Sequence, residues 1–87
     1  MSAQQGVVET HQRLSEIWDQ VLGSSGVDSD SDLLELGGDS LDAIRICGWV
    51  RKVFGVEISA GDVLTDSSFA AMAALVDERI ERSSNDA

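Results

Sequence analysis

Residues 36–55 read LGGDSLDAIRICGWVRKVFG, and this stretch decides the fold. At 100° per residue, Ala43, Ile46, Cys47, Val50, Val53 and Phe54 fall within about 120° of arc, the width of a core-facing helix stripe. Asp39 and Asp42 at one end and Arg51 and Lys52 in the last turn complement a helix dipole, and Gly55 is placed to cap it. The pattern predicts a helix from Ser40 to Phe54. Leu41, Ile44 and Gly48 are centred roughly 160° from the core stripe, so they point outward. They read either as scattered surface residues of no consequence or as a docking stripe beside Ser40. Trp49 lies at the border of the two faces and reads as core edge ahead of binding hot spot.

Working towards the N-terminus, Leu33, Leu34 and Leu36 anchor the return of the chain before the Gly37-Gly38 pair, which allows unusual backbone angles and close approach of another group. Residues 23–32, GSSGVDSDSD, form a polar loop whose one apolar residue, Val27, is expected to be pinned into the core. Before it, Leu14, Ile17, Trp18, Val21 and Leu22 mark one face of a helix over residues 9–22, closed by Gly23. On the other side, Val56-Glu57-Ile58 is short and extended, and residues 60–64 make one helical turn. Ser67 or Ser68 caps a last helix running to about Arg82, with Phe69, Met72, Ala73, Val76 and Ile80 inward and Leu75 at the edge. The expected fold is all-α, a small bundle of three main helices plus one short one over residues 9–82, with flexible tails at 1–8 and 83–87.

Eighty-seven residues allow one domain with a small core. Sixteen acidic against six basic residues give a net charge of −10, which disfavours nucleic-acid binding. No apolar run reaches membrane-spanning length, and residues 1–8 have neither the basic nor the apolar region of a secretory signal. The single cysteine, Cys47, forms no internal disulfide and sits on the core face, packed ahead of reactive, so a reducing cytoplasm is the expected compartment. The start at Met1 and the polar, untagged ends favour a free-standing protein. An exposed stripe used for transient docking does not demand a dimer, so a monomer is expected.

Ser40 is the residue with chemistry to explain. A glycine-rich turn delivers it to a helix N-terminus, where free N–H groups and the helix dipole suit a phosphate. The competing reading makes Ser40 a simple N-cap. Asp28, Asp30 and Asp32 have the spacing of a calcium-binding loop, but Leu33 stands where the sharp turn needs glycine and Asp39 where a bidentate glutamate belongs, which leaves calcium a remote alternative. A hydrolase is weaker, since the sequence around Ser40 is not G-x-S-x-G and the single histidine, His11, reads as an exposed residue of the first helix.

The segment Leu36-Gly37-Gly38-Asp39-Ser40-Leu41, followed by Ala43, resembles the phosphopantetheine attachment motif of carrier proteins, in the form found in the peptidyl carrier (thiolation) domains of nonribosomal peptide synthesis. The likeness continues through Ile17-Trp18, Leu33-Leu34-Glu35, Phe54-Gly55-Val56-Glu57-Ile58, Val63-Leu64 and residues 67–73. It departs at Ser67-Ser68, where the family often has Pro-Thr, at Leu64, where phenylalanine is frequent, and at Trp49, a position usually polar. The double glycine is closer to peptidyl or aryl carriers than to fatty-acid acyl carriers, which usually lack the second glycine.

This resemblance implies a carrier-protein four-helix bundle with no catalytic activity of its own. A phosphopantetheinyl transferase would attach 4'-phosphopantetheine from coenzyme A to the Ser40 hydroxyl as a phosphodiester. The arm's thiol would then hold an aminoacyl or peptidyl thioester in natural-product, including antibiotic, biosynthesis, and tethering would raise its effective concentration. Gly37 and Gly38 would let the transferase approach the backbone, and Asp39 would help hold metal and cofactor there. Leu41, Ile44 and Gly48, with Val63 and Leu64 nearby, would meet the partners: the transferase, an adenylation enzyme, and condensation, tailoring or thioesterase enzymes. Between Arg13 and Arg45 every charged residue is acidic, which reads either as a solvated face or as steering towards basic partner surfaces. The alternative cargo is a polyketide or fatty-acid acyl chain.

Overall fold

The computed structural model describes the backbone of residues 2–85 and the side chains of residues 9–83. Four helices run in order: α1 (Ser2–Leu22), α2 (Ser40–Phe54), α3 (Ala60–Thr65) and α4 (Phe69–Asn85). Both ends correct the expected boundaries. α1 begins seven residues before Glu9, through helix-forming Ala3, Gln4 and Gln5, and α4 continues three residues past Arg82. The segments read as tails are thus largely helical in backbone; Met1, Asp86 and Ala87 lie outside the described residues.

One core joins all four helices. Leu14, Ile17 and Trp18 of α1 meet Ala43, Ile46 and Val50 of α2, Val63 of α3, and Phe69, Met72, Ala73 and Val76 of α4. At its centre the Trp18 and Phe69 rings stand edge to face, 5.2 Å apart at 81°, and the Trp18 indole N–H donates to Met72 Sδ at 3.1 Å. The aromatic pair gains from quadrupole geometry as well as burial, and the indole donor finds a partner without leaving the interior.

The helix ends follow local chemistry. Gly23 takes φ +69°, and Ser24 N–H donates back to the Asp19 carbonyl, closing α1 as expected. Gly55 does the same for α2 with φ +73° and a bond to the Arg51 carbonyl. Ser68, not Ser67, caps α4, accepting from Ala71 N–H at 3.1 Å. Ser67 instead donates to Asp32 at 2.9 Å.

The long α1–α2 connection is held in three places. The Asp19 carboxylate accepts from Ser24 and from the N–H groups of Gly26 and Val27, and Ser15 donates to the Val27 carbonyl at 2.7 Å, which places Val27 in the core. Residues 31–33 pair antiparallel with residues 67–69 through Leu33 N–H to Ser67 O and Phe69 N–H to Ser31 O. Asp32 also accepts from the N–H groups of Leu34 and Glu35, opening the turn that leads to α2. Of the leucines expected to anchor this return, only Leu33 does so; Leu34 and Leu36 are 54% and 39% exposed. His11 is half-buried rather than free on the surface: its Nε2 lies 2.8 Å from Asp77 Oδ2, joining α1 to α4.

Candidate functional site

The turn before α2 is shaped by two glycines with different tasks. Gly37 has φ +86°, a left-handed conformation that side chains resist. Gly38 is needed for packing: a Cβ there would lie 2.7 Å from Leu33 Cδ1 and 2.9 Å from the Leu33 carbonyl oxygen, to which the Gly38 N–H donates. The close approach allowed by Gly38 is therefore made within the chain, by a core residue.

Asp39 is the N-cap of α2. Its carboxylate accepts from Asp42 N–H at 3.0 Å, and the Asp42 carboxylate accepts from Asp39 N–H at 3.2 Å, a reciprocal capping box. This corrects the reading of Ser40 as the cap. Ser40 is the first helical residue, exposed, with its hydroxyl bonded to nothing among the described residues. The N–H groups of Ser40 and Leu41 also have no acceptor among them. The result is a solvent-facing hydroxyl next to two unused donors at the positive end of a fifteen-residue helix. A phosphodiester on Ser40 Oγ fits this arrangement: nothing intramolecular must be broken to attach it, and the nearby donors favour its negative charge.

Around Ser40, Leu41 and Ile44 are 53% and 56% exposed, and Gly48 is exposed, as helix arithmetic predicts. Val63 is not part of that surface. It is 2% exposed, because six-residue α3 packs against α2 and commits Val63 to the core. Leu64 is half-buried against the same core. Val53, expected inside, is 39% exposed at the end of α2, and Trp49 is 38% exposed with Lys52 Nζ 5.4 Å from its ring centroid.

Beside α2 an open cleft of about 380 Å³ is bounded by Cys47, Arg51, Glu57, Ser59, Asp62 and Arg79. Its walls carry ion pairs, Arg51 with Glu57 at 3.6 Å and Arg79 with Asp62 at 3.9 Å. Burial, and then the negative charge of Asp62, push the Cys47 thiol above its ordinary range, which favours its protonated form. The Asp28 and Asp32 carboxylates of the acidic loop are engaged within the chain. Asp28 accepts from Asp30 N–H and Ser31, Asp32 is bonded to Ser67 and two N–H groups, and no metal-holding group of three or more His, Cys, Asp or Glu occurs among the described residues. No helix among them is long and apolar enough to cross a membrane.

Sequence reasoning missed the role of Asp39 although its signal was present: Asp39 and Asp42 have both the spacing and the two side-chain acceptors of a capping box, whereas Ala43, at the same spacing from Ser40, has no side-chain acceptor. It also missed Asp32, whose partner Ser67 lies 35 residues away with no local trace.

Comparison with known proteins agrees with this geometry. The family described as "Phosphopantetheine attachment site" matches residues 12–76. The chain is 35% identical over 71 residues to phosphinothricin tripeptide synthetase PhsC of Streptomyces viridochromogenes, covering 80% of this chain and 6% of that protein. It is 31% identical over 74 residues to the polyketide synthase-nonribosomal peptide synthetase ffsA of Aspergillus flavipes, covering 79% and 2%. The chain thus spans a small fraction of the length of these relatives. Among solved structures it is similar to the peptidyl carrier protein in complex with the phosphopantetheine transferase Sfp and coenzyme A, with a TM-score of 0.76, 28% identity, and coverage of 80% of this chain and 91% of that one.

Proposed function

The chain belongs to the phosphopantetheine attachment-site family, the carrier proteins of nonribosomal peptide and polyketide assembly, and from that premise we propose that it is a peptidyl carrier whose arm is attached to Ser40. The observation that carries the assignment of Ser40 is its placement one residue inside the cap. Asp39 satisfies the helix end, which leaves the Ser40 hydroxyl free to act as nucleophile towards coenzyme A at a transferase. In that reaction the Ser40 oxygen forms a bond to the β-phosphorus of coenzyme A, the pyrophosphate link breaks, and 3',5'-adenosine diphosphate leaves. The hydroxyl proton passes to the transferase or solvent. Ser40 is an anchor, and the chain has no catalytic role of its own.

The Gly37-Gly38 pair, which resembles that of peptidyl carriers, favours an aminoacyl or peptidyl cargo over a long acyl chain. Leu41 and Ile44 form the docking stripe, visited in turn by the transferase, the adenylation enzyme and later enzymes through small, quickly released interfaces. The chain acts as a monomer in a reducing cytoplasm.

The test is loading. The phosphopantetheinylated chain is offered to adenylation enzymes with amino acids and ATP, and separately to an acyltransferase with malonyl-coenzyme A. Aminoacyl mass gain with the former alone is expected; malonyl loading alone would reassign the chain to acyl carriage.

A further inference from the structure

From Arg45 to its C-terminal end, α2 carries a surface that the attachment site does not use. Arg45, Trp49 and Val53 form an i, i+4, i+8 row, with Lys52 beside Trp49. All four are exposed, and Trp49 and Val53 are each more than a third open to solvent. Neither Arg45 nor Lys52 forms an ion pair among the described residues, although the chain holds sixteen carboxylates. The helix dipole accounts for a cation at Lys52 in the last turn. It does not account for Arg45 in mid-helix or for an indole left half in water.

We propose that Arg45, Trp49, Lys52 and Val53 form a second contact surface, cationic and aromatic, which takes an acidic, leucine-containing peptide segment of a partner protein. The occupant follows from charge at two ranges. The net charge of −10 repels extended polyanions such as nucleic acid or an anionic membrane. A short segment feels mainly what lies within a Debye length, about 8 Å at physiological salt. Lys52 and Trp49 are ten and seven residues from Asp42, about 15 and 10 Å along the helix, so a segment seated on them lies beyond a Debye length from the acidic end of α2, whereas Arg45, three residues from Asp42, stands at the border between the two. The exposed face of α2 is consequently bipolar, acidic at Asp39 and Asp42 and basic at Arg45 and Lys52. A partner of matching polarity would be held in one direction along it. The surface does not depend on the arm, and it is tested on the unmodified chain.

Trp18 is fully buried, so Trp49 is the fluorophore that reports on this surface. A synthetic peptide of repeated Glu-Glu-Leu is titrated at physiological salt, where the distant carboxylates are screened, with a Lys-Lys-Leu peptide of equal length as control. The expected result is a saturable change in Trp49 emission with the acidic peptide alone. Affinity should weaken at least about threefold in Lys52→Glu and in Arg45→Glu, as loss of an exposed charge contact implies. Lys52→Gln is read alongside, and circular dichroism checks that each variant folds. No saturable change, an equal response in the charge variants, or an equal response to the basic peptide would each overturn the proposal. So would sedimentation of the peptide-free chain as a dimer that Lys52→Glu dissociates, which would make a second copy the occupant.

Discussion

Two glycines of the candidate site region should respond to alanine with opposite signs. At Gly38 an added methyl meets Leu33 Cδ1 at 2.7 Å, Leu33 Cγ at 2.9 Å and the Leu33 carbonyl oxygen at 2.9 Å. Leu33 cannot swing away, because it is fully buried and its carbonyl accepts the Gly38 N–H. Relief requires moving the turn, an overpacking cost of about 1–3 kcal/mol. For a domain of this size each kcal/mol lowers the melting temperature by about 4–8 °C. At Gly48, by contrast, a methyl meets nothing within 4 Å and the backbone is helical, so alanine should stabilise by about 0.5–1 kcal/mol. Urea and thermal unfolding followed by circular dichroism give both values, and Leu33→Val in the Gly38→Ala background should recover part of the loss. Equal effects at the two positions would refute the packing argument. So would a neutral Gly38→Ala that is poorly modified by a transferase, which would return Gly38 to partner approach.

The capping box makes a second separation possible: Asp39→Ala should cost about 1 kcal/mol, while Asp39→Asn keeps the cap and the stability. Any loss of transferase turnover in Asp39→Asn, measured by intact mass, then reports on recognition alone. Leu41→Asp and Ile44→Asp should change stability by less than about 0.5 kcal/mol yet impair partner reactions, whereas Ile46→Ala, fully buried, should cost about 2–5 kcal/mol in urea unfolding. Cys47 should alkylate more slowly than a free thiol at neutral pH. Its rate should keep rising with pH beyond the ordinary thiol range, because burial and Asp62 hold the thiol protonated there; a normal profile would contradict that environment.

The helices themselves were legible because periodicity and end signals agreed. Ala43, Ile46 and Val50 are fully buried where the 100° arithmetic put them, and Gly23 and Gly55 end their helices as their placement predicts. What failed lies at the margins of that arithmetic. Val53 sits at the edge of the 120° arc in the last turn, where an angle does not say how far neighbouring helices extend. Val63 belongs to a six-residue helix, too short for a period to separate its faces. Leu34 and Leu36 are apolar in a turn, where no periodicity applies. The remaining misses are contacts distant in sequence: His11 with Asp77, and Asp32 with Ser67. Ser40 was legible as a candidate attachment residue, but whether it or Asp39 capped the helix was not, and that followed from the Asp39–Asp42 bonds.

The central claim is that Ser40 is the attachment point of the arm. Intact-protein mass is measured after incubation with coenzyme A, magnesium and a broad-specificity phosphopantetheinyl transferase, with Ser40→Ala beside it and circular dichroism on both. The expected result is a gain of one phosphopantetheinyl group in the native chain, none in Ser40→Ala, and nearly equal stability, since Ser40 is not the cap. A folded native chain that gains no mass, or a Ser40→Ala variant that gains the same mass, would contradict it.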